Sequence, residues 1–448
     1  RRVLFRSPLL SRQQWKKVLS ETGFTQVVTL PEVEGMAEVF AQQGVIVAQA
    51  APTTLESTSS TPKGWLILAD KQGIAQQLAS QLRSGGDVCT LVFAGENYQQ
   101  LAPEEFTINP DNFSELEQLI ETIATKSPSL SGVVQCWTTA AGVGKNISSE
   151  ELRNLSKLGC GTTLSLVQSL VKAKLSQSPR LWLVTNGAQP VPSNNPVIPG
   201  VAQSSLWAMG KVIRLEHPEL NCVRLDLDPQ ETIETQAEEL FQEVWSEDHE
   251  DQVARRGDER YVARLVASHH QEAISEQLAD GTTQKPLSFR EDATYLITGG
   301  MGGLGLLVAR WMVDKGVKNL VLLGRRSPDD VTSQKITELE MAGASVVVEK
   351  ADVSDVESMT RVFHKIEESK IPLAGVIHSA GMLSDGVLQN QTWSNFEKVM
   401  APKVQGAWTL HQLTQKLSLD FFVLFSSAAS LLGSPGQGNH SAANAFLD

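Results

Sequence analysis

Apolar positions along this chain fall into short runs separated by amphipathic stretches, and that alternation predicts most of its elements. Tyr295-Leu-Ile-Thr298 has the uninterrupted apolar character of a buried strand. Five glycines follow between Gly299 and Gly305, after which residues 306–315 carry Leu306, Val308, Ala309 and Met312 on one helical face. Further strand-like runs lie at 320–323, 345–348, 373–377 and 421–425. Upstream, residues 65–69, 88–93, 130–134 and 181–184 read as strands, with helices over 74–82 and 164–171.

Strands alternating with helices predict an α/β protein with parallel sheets and crossover helices. Local words recur at matching places. Pro128-Ser-Leu-Ser-Gly-Val-Val134 is similar to Pro372-Leu-Ala-Gly-Val-Ile377, and Leu181-Trp-Leu-Val-Thr-Asn186 to Phe422-Val-Leu-Phe-Ser-Ser427. The expectation is an internal duplication giving two Rossmann-like doubly wound parallel sheets. The copies differ where a ligand would sit. Against Thr298-Gly-Gly-Met-Gly-Gly-Leu-Gly305, the first copy has Ala69-Asp-Lys-Gln-Gly-Ile-Ala75, with one glycine and an acidic side chain turned towards any phosphate. It should not bind a dinucleotide, so residues 63–267 are expected to be a degenerate structural subdomain and 289–448 the working one.

Composition sets the boundaries. Residues 51–62 are rich in Ser, Thr and Pro and read as a linker, as do residues 268–288. Residues 1–50 form a small unit: Ser11 is a candidate N-cap for a helix bearing Trp15, Val18 and Leu19, followed by strands at 24–30 and 45–50 around a helix-like stretch at 34–42. So small a unit makes a poor independent core and reads as the tail of a preceding domain. The chain opens at Arg1 without methionine and stops at Asp448 within a helical pattern, so it reads as a piece of a longer protein, truncated at its C-terminus with an unpaired sheet edge.

With 448 residues, 41 % apolar and 20 % charged, the chain is an ordinary globular protein of two or three domains. Its net charge of −13 argues against nucleic acid and anionic membrane as partners. Cys89, Cys136, Cys160 and Cys222 show no CxxC spacing, which predicts neither a zinc site nor a disulfide framework. No run of 18 apolar residues occurs and no signal peptide is visible, so the expected location is cytoplasmic.

The glycine loop is where chemistry enters. Strand, glycine turn and helix present backbone N–H groups and a positive dipole end to a pyrophosphate, and Thr298, Gly299, Gly300, Met301, Gly302, Gly303, Leu304 and Gly305 are the candidate contacts. After the second strand, Arg325 and Arg326 stand where an acidic residue would select NAD; a guanidinium pair suits the 2′-phosphate of NADP. Asp352 and Val353 are candidate adenine contacts, with a turn or cap as the alternative for the Asp. His378, Ser379, Ala380 and Gly381 end the fourth strand with residues small enough to pass close to a nicotinamide ribose, or simply to make a tight turn. Ser427 lies just past the fifth strand's carboxyl end.

From about residue 60 onward, and most closely from 293, the chain resembles the ketoreductase domain of a modular type I polyketide synthase, a short-chain dehydrogenase/reductase preceded by a degenerate copy of its own fold. The family's catalytic order is Lys, then Ser, Tyr and Asn; Lys403, Ser427, His440 and Asn444 stand here at its intervals of 24, 13 and four residues. The resemblance implies that NADPH reduces the β-carbonyl of an acyl chain held on the phosphopantetheine of an acyl carrier protein, among neighbouring synthase domains. In that reading Ser427 binds the carbonyl oxygen, Lys403 and Asn444 hold a proton relay, and residue 440 protonates the alkoxide. His440 departs from the family's Tyr. Two readings stay open: His440 gives the proton as imidazolium or through a water, or the domain is reductively weakened or silent, a scaffold between methyltransferase and carrier domains. Leu383-Ser-Asp385 is similar to the family's Leu-Asp-Asp fingerprint, with its last Asp kept, and implies a D-hydroxyl product. The first 50 residues resemble the end of a carbon-methyltransferase domain.

Overall fold

The computed structural model describes residues 11–22, 24–30, 45–50, 62–126, 129–140, 147–173, 175–191, 199–246, 248–266 and 289–448. Two compact units divide between Thr61 and Pro62. In the first, α1 (Arg12–Glu21) begins at Ser11, whose hydroxyl accepts the Gln14 amide while Gln14 Oε1 accepts the Ser11 amide. β1 (Phe24–Leu30) and β2 (Val45–Ala50) pair antiparallel, at the places expected. The helix expected over 34–42 lies outside the described residues.

The second unit runs β3 (Gly64–Ala69), α2 (Ile74–Ser84), β4 (Val88–Ala94), β5 (Gln99–Ala102), β6 (Glu105–Ile108), α3 (Phe113–Lys126), β7 (Leu130–Gln135), α4 (Ser149–Ser156), α5 (Thr162–Lys172), β8 (Arg180–Asn186), α6 (Ser204–Glu216), β9 (Val223–Leu227), α7 (Ile233–Val244), β10 (Gln252–Arg256) and β11 (Glu259–Val262). These strands form one sheet of order β11-β10-β9-β8-β7-β3-β4-β6-β5. Its middle is the parallel set expected from the apolar runs. The flanking β5, β6 and β9–β11 were not anticipated, because their polar residues interrupt the pattern. In β9, Arg224 and Asp226 are both buried and are paired internally, Arg224 with Asp251 at 2.6 Å and Asp226 with Arg256 and the Thr185 hydroxyl.

Further on come β12 (Thr294–Thr298), α8 (Gly303–Asp314), β13 (Asn319–Gly324), α9 (Asp330–Met341), β14 (Ser345–Lys350), α10 (Val356–Glu368), β15 (Leu373–His378), α11 (Trp393–Met400), α12 (Gly406–Thr414), β16 (Phe421–Leu424), α13 (Ala428–Leu432) and α14 (Gly438–Ala445). Here the sheet is wholly parallel, in the order β14-β13-β12-β15-β16. Strand order reverses between β12 and β15, which opens a crevice at their carboxyl ends.

The duplication extends to a local irregularity. A π turn over Lys157–Gly161 joins α4 to α5, and a second over Ala401–Gln405 joins α11 to α12. The two copies also share one core. Leu152, Leu164 and Met209 from the first pack in the same cluster as Phe396, Val399 and Ala443 from the second. All four cysteines are buried and unpaired, and no described helix is long and apolar enough to cross a membrane.

Candidate active site

β12 is buried along its whole length and delivers the chain to Gly299, which turns at φ +68°. A Cβ there would lie 2.8 Å from the Ala380 amide nitrogen, and one at Gly305 would lie 2.3 Å from the Gly299 carbonyl oxygen, so hydrogen alone fits at both. α8 starts inside the glycine run, three residues earlier than the apolar face suggested. No side chain caps it, which leaves its first amides for a ligand.

In the first copy that seat is taken. Asp70 is 1 % exposed, and its carboxylate accepts the amides of Gln72 and Gly73 at 2.8 Å, Ala75 at 2.9 Å and Ile74 at 3.3 Å. The acidic side chain does more than repel a phosphate, for it stands in for one.

A cleft of about 420 Å³ opens at the switch point. Of the candidate cofactor residues, Gly299, Met301, Gly302, Arg325, Arg326, Asp352, Val353, Ser379, Ala380 and Gly381 line it. Both arginines are exposed, and neither is ion-paired among the described residues. Asp352 Oδ1 accepts the Ser354 amide and hydroxyl at 2.9 and 2.6 Å, which shapes the turn after β14. The sequence reading missed Asp329 and Thr332 on the cleft wall; Asp329 caps α9 by accepting the Thr332 amide, a role any N-cap Asp can fill.

Thr298, Gly300, Gly303, Leu304, Gly305 and His378 are not among the lining residues. Thr298 and His378 are fully buried and bond to each other, Oγ1 to Nδ1 at 2.6 Å, tying β12 to β15 behind the cleft. Burial and the nearby Lys403 cation push His378 down to about 3, so its ring stays neutral. Leu304 points outward, 55 % exposed.

Beyond Gly381 lies Lys403, the first of the candidate catalytic residues. The π turn carries Lys403, 7 % exposed, whose Nζ donates to the Phe425 carbonyl at 2.5 Å and whose Cε lies 3.0 Å from where a Cβ of Gly381 would be. Such turns re-aim a single side chain within a helix. The first copy keeps the turn but has Gly159 at its third position. Ser427 caps α13, accepting the Ala429 amide at 3.2 Å.

On α14, Asn444 Nδ2 donates to the His440 carbonyl at 2.8 Å and meets His440 Nε2 at 3.2 Å. With Nε2 accepting, the ring proton belongs on Nδ1, which is buried without a protein partner. Burial first and Lys403 second hold His440 below the ordinary histidine range, opposed by Asp385. Lys403 is itself lowered by burial. Leu383 is exposed, and Asp385 accepts from Gln437 Nε2 at 3.2 Å, which links the loop after β15 to the start of α14.

An open crevice at a topological switch point, with an uncapped glycine-rich helix start and a buried lysine packed against Gly381 on its wall, defines a nicotinamide-dependent oxidoreductase of Rossmann type. Residues 293–448 match the family model described as KR domain. Residues 87–265 match that of the polyketide synthase extender module SpnB Rossmann fold domain. The chain belongs to the ketoreductase domains of polyketide synthases. It is 37 % identical over 285 residues to a phenolphthiocerol/phthiocerol polyketide synthase of Mycobacterium tuberculosis, covering 63 % of this chain and 15 % of that protein. A 6-methylsalicylic acid synthase of Arthrobotrys oligospora is 35 % identical over 310 residues, covering 67 % of this chain and 16 % of that protein. This chain therefore spans about a sixth of the length of these relatives. Among solved structures, A-type ketoreductases from a modular polyketide synthase superpose with a TM-score of 0.68 at 26 % identity, over 88 % of this chain and 76 % of theirs.

Proposed function

We propose that the chain reduces a β-ketoacyl thioester, carried on the phosphopantetheine of an acyl carrier protein, to the D-β-hydroxyacyl thioester, with NADPH as reductant. The observation that carries this reading is the uncapped start of α8 in a cleft lined by Arg325 and Arg326, with Lys403 packed against Gly381 on the cleft wall. The residues present fit NADPH, since the first turn of α8 holds no competing carboxylate, in contrast to Asp70 in the first copy.

NADPH, when bound, would supply the hydride. Arg325 and Arg326 hold the 2′-phosphate, and the amides at the start of α8 hold the pyrophosphate. Ser427 donates a hydrogen bond to the substrate carbonyl oxygen and stabilises the charge that develops there. His440 supplies the proton as imidazolium or through a water, with the Asn444 amide beside its ring. Lys403, fixed on the Phe425 carbonyl, places positive charge beside the forming alkoxide. Asp385 and Leu383 border the acyl chain and set the D product.

A second reading, a reductively silent scaffold, is favoured by one observation: burial and Lys403 both disfavour the imidazolium of His440. Fluorescence titration with NADPH and NADH, then assay with a β-ketoacyl thioester and chiral analysis of the alcohol, tests both. NADPH binding with D-alcohol formation is expected. Binding without turnover would favour the scaffold, and the L-alcohol would overturn the stereochemical assignment.

A further inference from the structure

Two loops flank, in sequence, the candidate substrate and proton-donor positions. Residues 383–391 follow β15, and residues 433–437 lead into α14. One carboxylate from the other copy reaches both. Glu216, the last residue of α6, accepts the Leu388 amide at 2.6 Å through Oε2 and the Gly436 amide at 2.7 Å through Oε1. The loops also bond directly, Gly386 N–H to the Gly436 carbonyl at 2.7 Å and Asn439 Nδ2 to the Ser384 carbonyl at 2.7 Å.

Each oxygen of Glu216 takes one charge-assisted bond, so the carboxylate works as a spacer of fixed length between the two loops. There is no slack behind it. Leu388 is fully buried, and a Cβ on Gly438 would lie 2.8 Å from Leu388 Cδ2. Earlier on α6, Lys211 donates to the Ser430 carbonyl at 3.0 Å, and Gly433 turns at φ +77° where a Cβ would meet Leu215 at 2.9 Å. The structural copy thus grips the segment between Ser427 and His440 along the end of one helix.

We propose that Glu216 is a positioning residue for ketoreduction: it sets the separation between the loop bearing Leu383 and Asp385 and the helix bearing His440, and so fixes which face of the ketoacyl group meets the hydride. The inference rests on the reductase reading above. A glutamine at 216 offers one acceptor oxygen and an NH₂ that cannot accept, so it satisfies one amide and opposes the other.

The test is Glu216→Gln in the full chain, read by hydrogen exchange at Leu388 and Gly436, by NADPH titration, and by kinetics with chiral analysis. Exchange at the two amides should quicken about tenfold or more. NADPH affinity should hold, kcat/KM for the ketoacyl thioester should fall about tenfold, and the alcohol should lose stereochemical purity. Glu216→Asp, which keeps two acceptor oxygens on a shorter arm, should recover part of each loss and carries the same readouts if the glutamine variant does not fold. Unchanged exchange, or unchanged stereochemical purity and kcat/KM, in a chain whose wild type is active overturns the role of Glu216 alone. A wild type that turns nothing over overturns the reductase reading and this role together.

Discussion

His440 carries the most consequential single choice in the chain. Its ring is lowered from the ordinary value of 6.5 by burial and Lys403, so the imidazolium that would serve as acid becomes populated only on the acid side of neutrality. Turnover of the wild type should therefore rise as pH falls through the histidine range. His440→Phe should lose about 10²- to 10⁴-fold in kcat while NADPH affinity holds. His440→Tyr is the sharper measurement: a large rise in its turnover would show that the wild type is weakened at this position. His378 gives a second, separate pH effect. Its folded value of about 3 lies below the unfolded 6.5, so its contribution to stability is complete above 6.5 and is lost as pH falls from 6.5 towards 3. Urea midpoints measured across that window should slope less steeply in His378→Asn than in the wild type.

Among the elements, the two glycine-turn helices make a matched comparison. At α8, Gly305→Ala should abolish NADPH binding by titration, because the added methyl would meet the Gly299 carbonyl at 2.3 Å. At α2, Asp70→Ala removes the acceptor of four amides and should cost about 2 kcal/mol or more in denaturant unfolding, without creating a second cofactor site. The contrast between these turns was legible in the sequence as one glycine against five. What was hidden was the bonding of Asp70, since spacing does not say whether a carboxylate faces a ligand or the chain's own amides. The π turn at Lys403 was hidden for a related reason: one extra residue in a helical turn leaves the apolar period nearly intact. Strands with long apolar runs were found close to their true ends. β9 escaped because its buried Arg224 and Asp226 are each paired with a partner distant in sequence, Asp251 and Arg256.

At the scale of the whole molecule, two sheets and one shared apolar core set how the second unit behaves. Both sheets are present, the first with five strands beyond those read from the sequence, and one apolar cluster spans them, so the second unit should unfold as one body. Phe396→Ala, in that shared cluster, should cost about 3–5 kcal/mol. Loss of NADPH binding and the fluorescence change of Trp182 in the first sheet should shift together in denaturant; separate midpoints would show that the sheets are independent. Contacts between the copies, Glu216 foremost, lay beyond the sequence reading because they join residues about 170 to 220 positions apart.

Asp70 also bears on how the chain meets a changing cell. A half whose phosphate seat is filled by its own carboxylate has nothing to gain from dinucleotide, so ligand-linked stabilisation acts through α8 alone. The expected stoichiometry is one cofactor per chain. Because one apolar cluster spans both sheets, saturating cofactor at α8 should raise the unfolding midpoint of the whole second unit, the first sheet included.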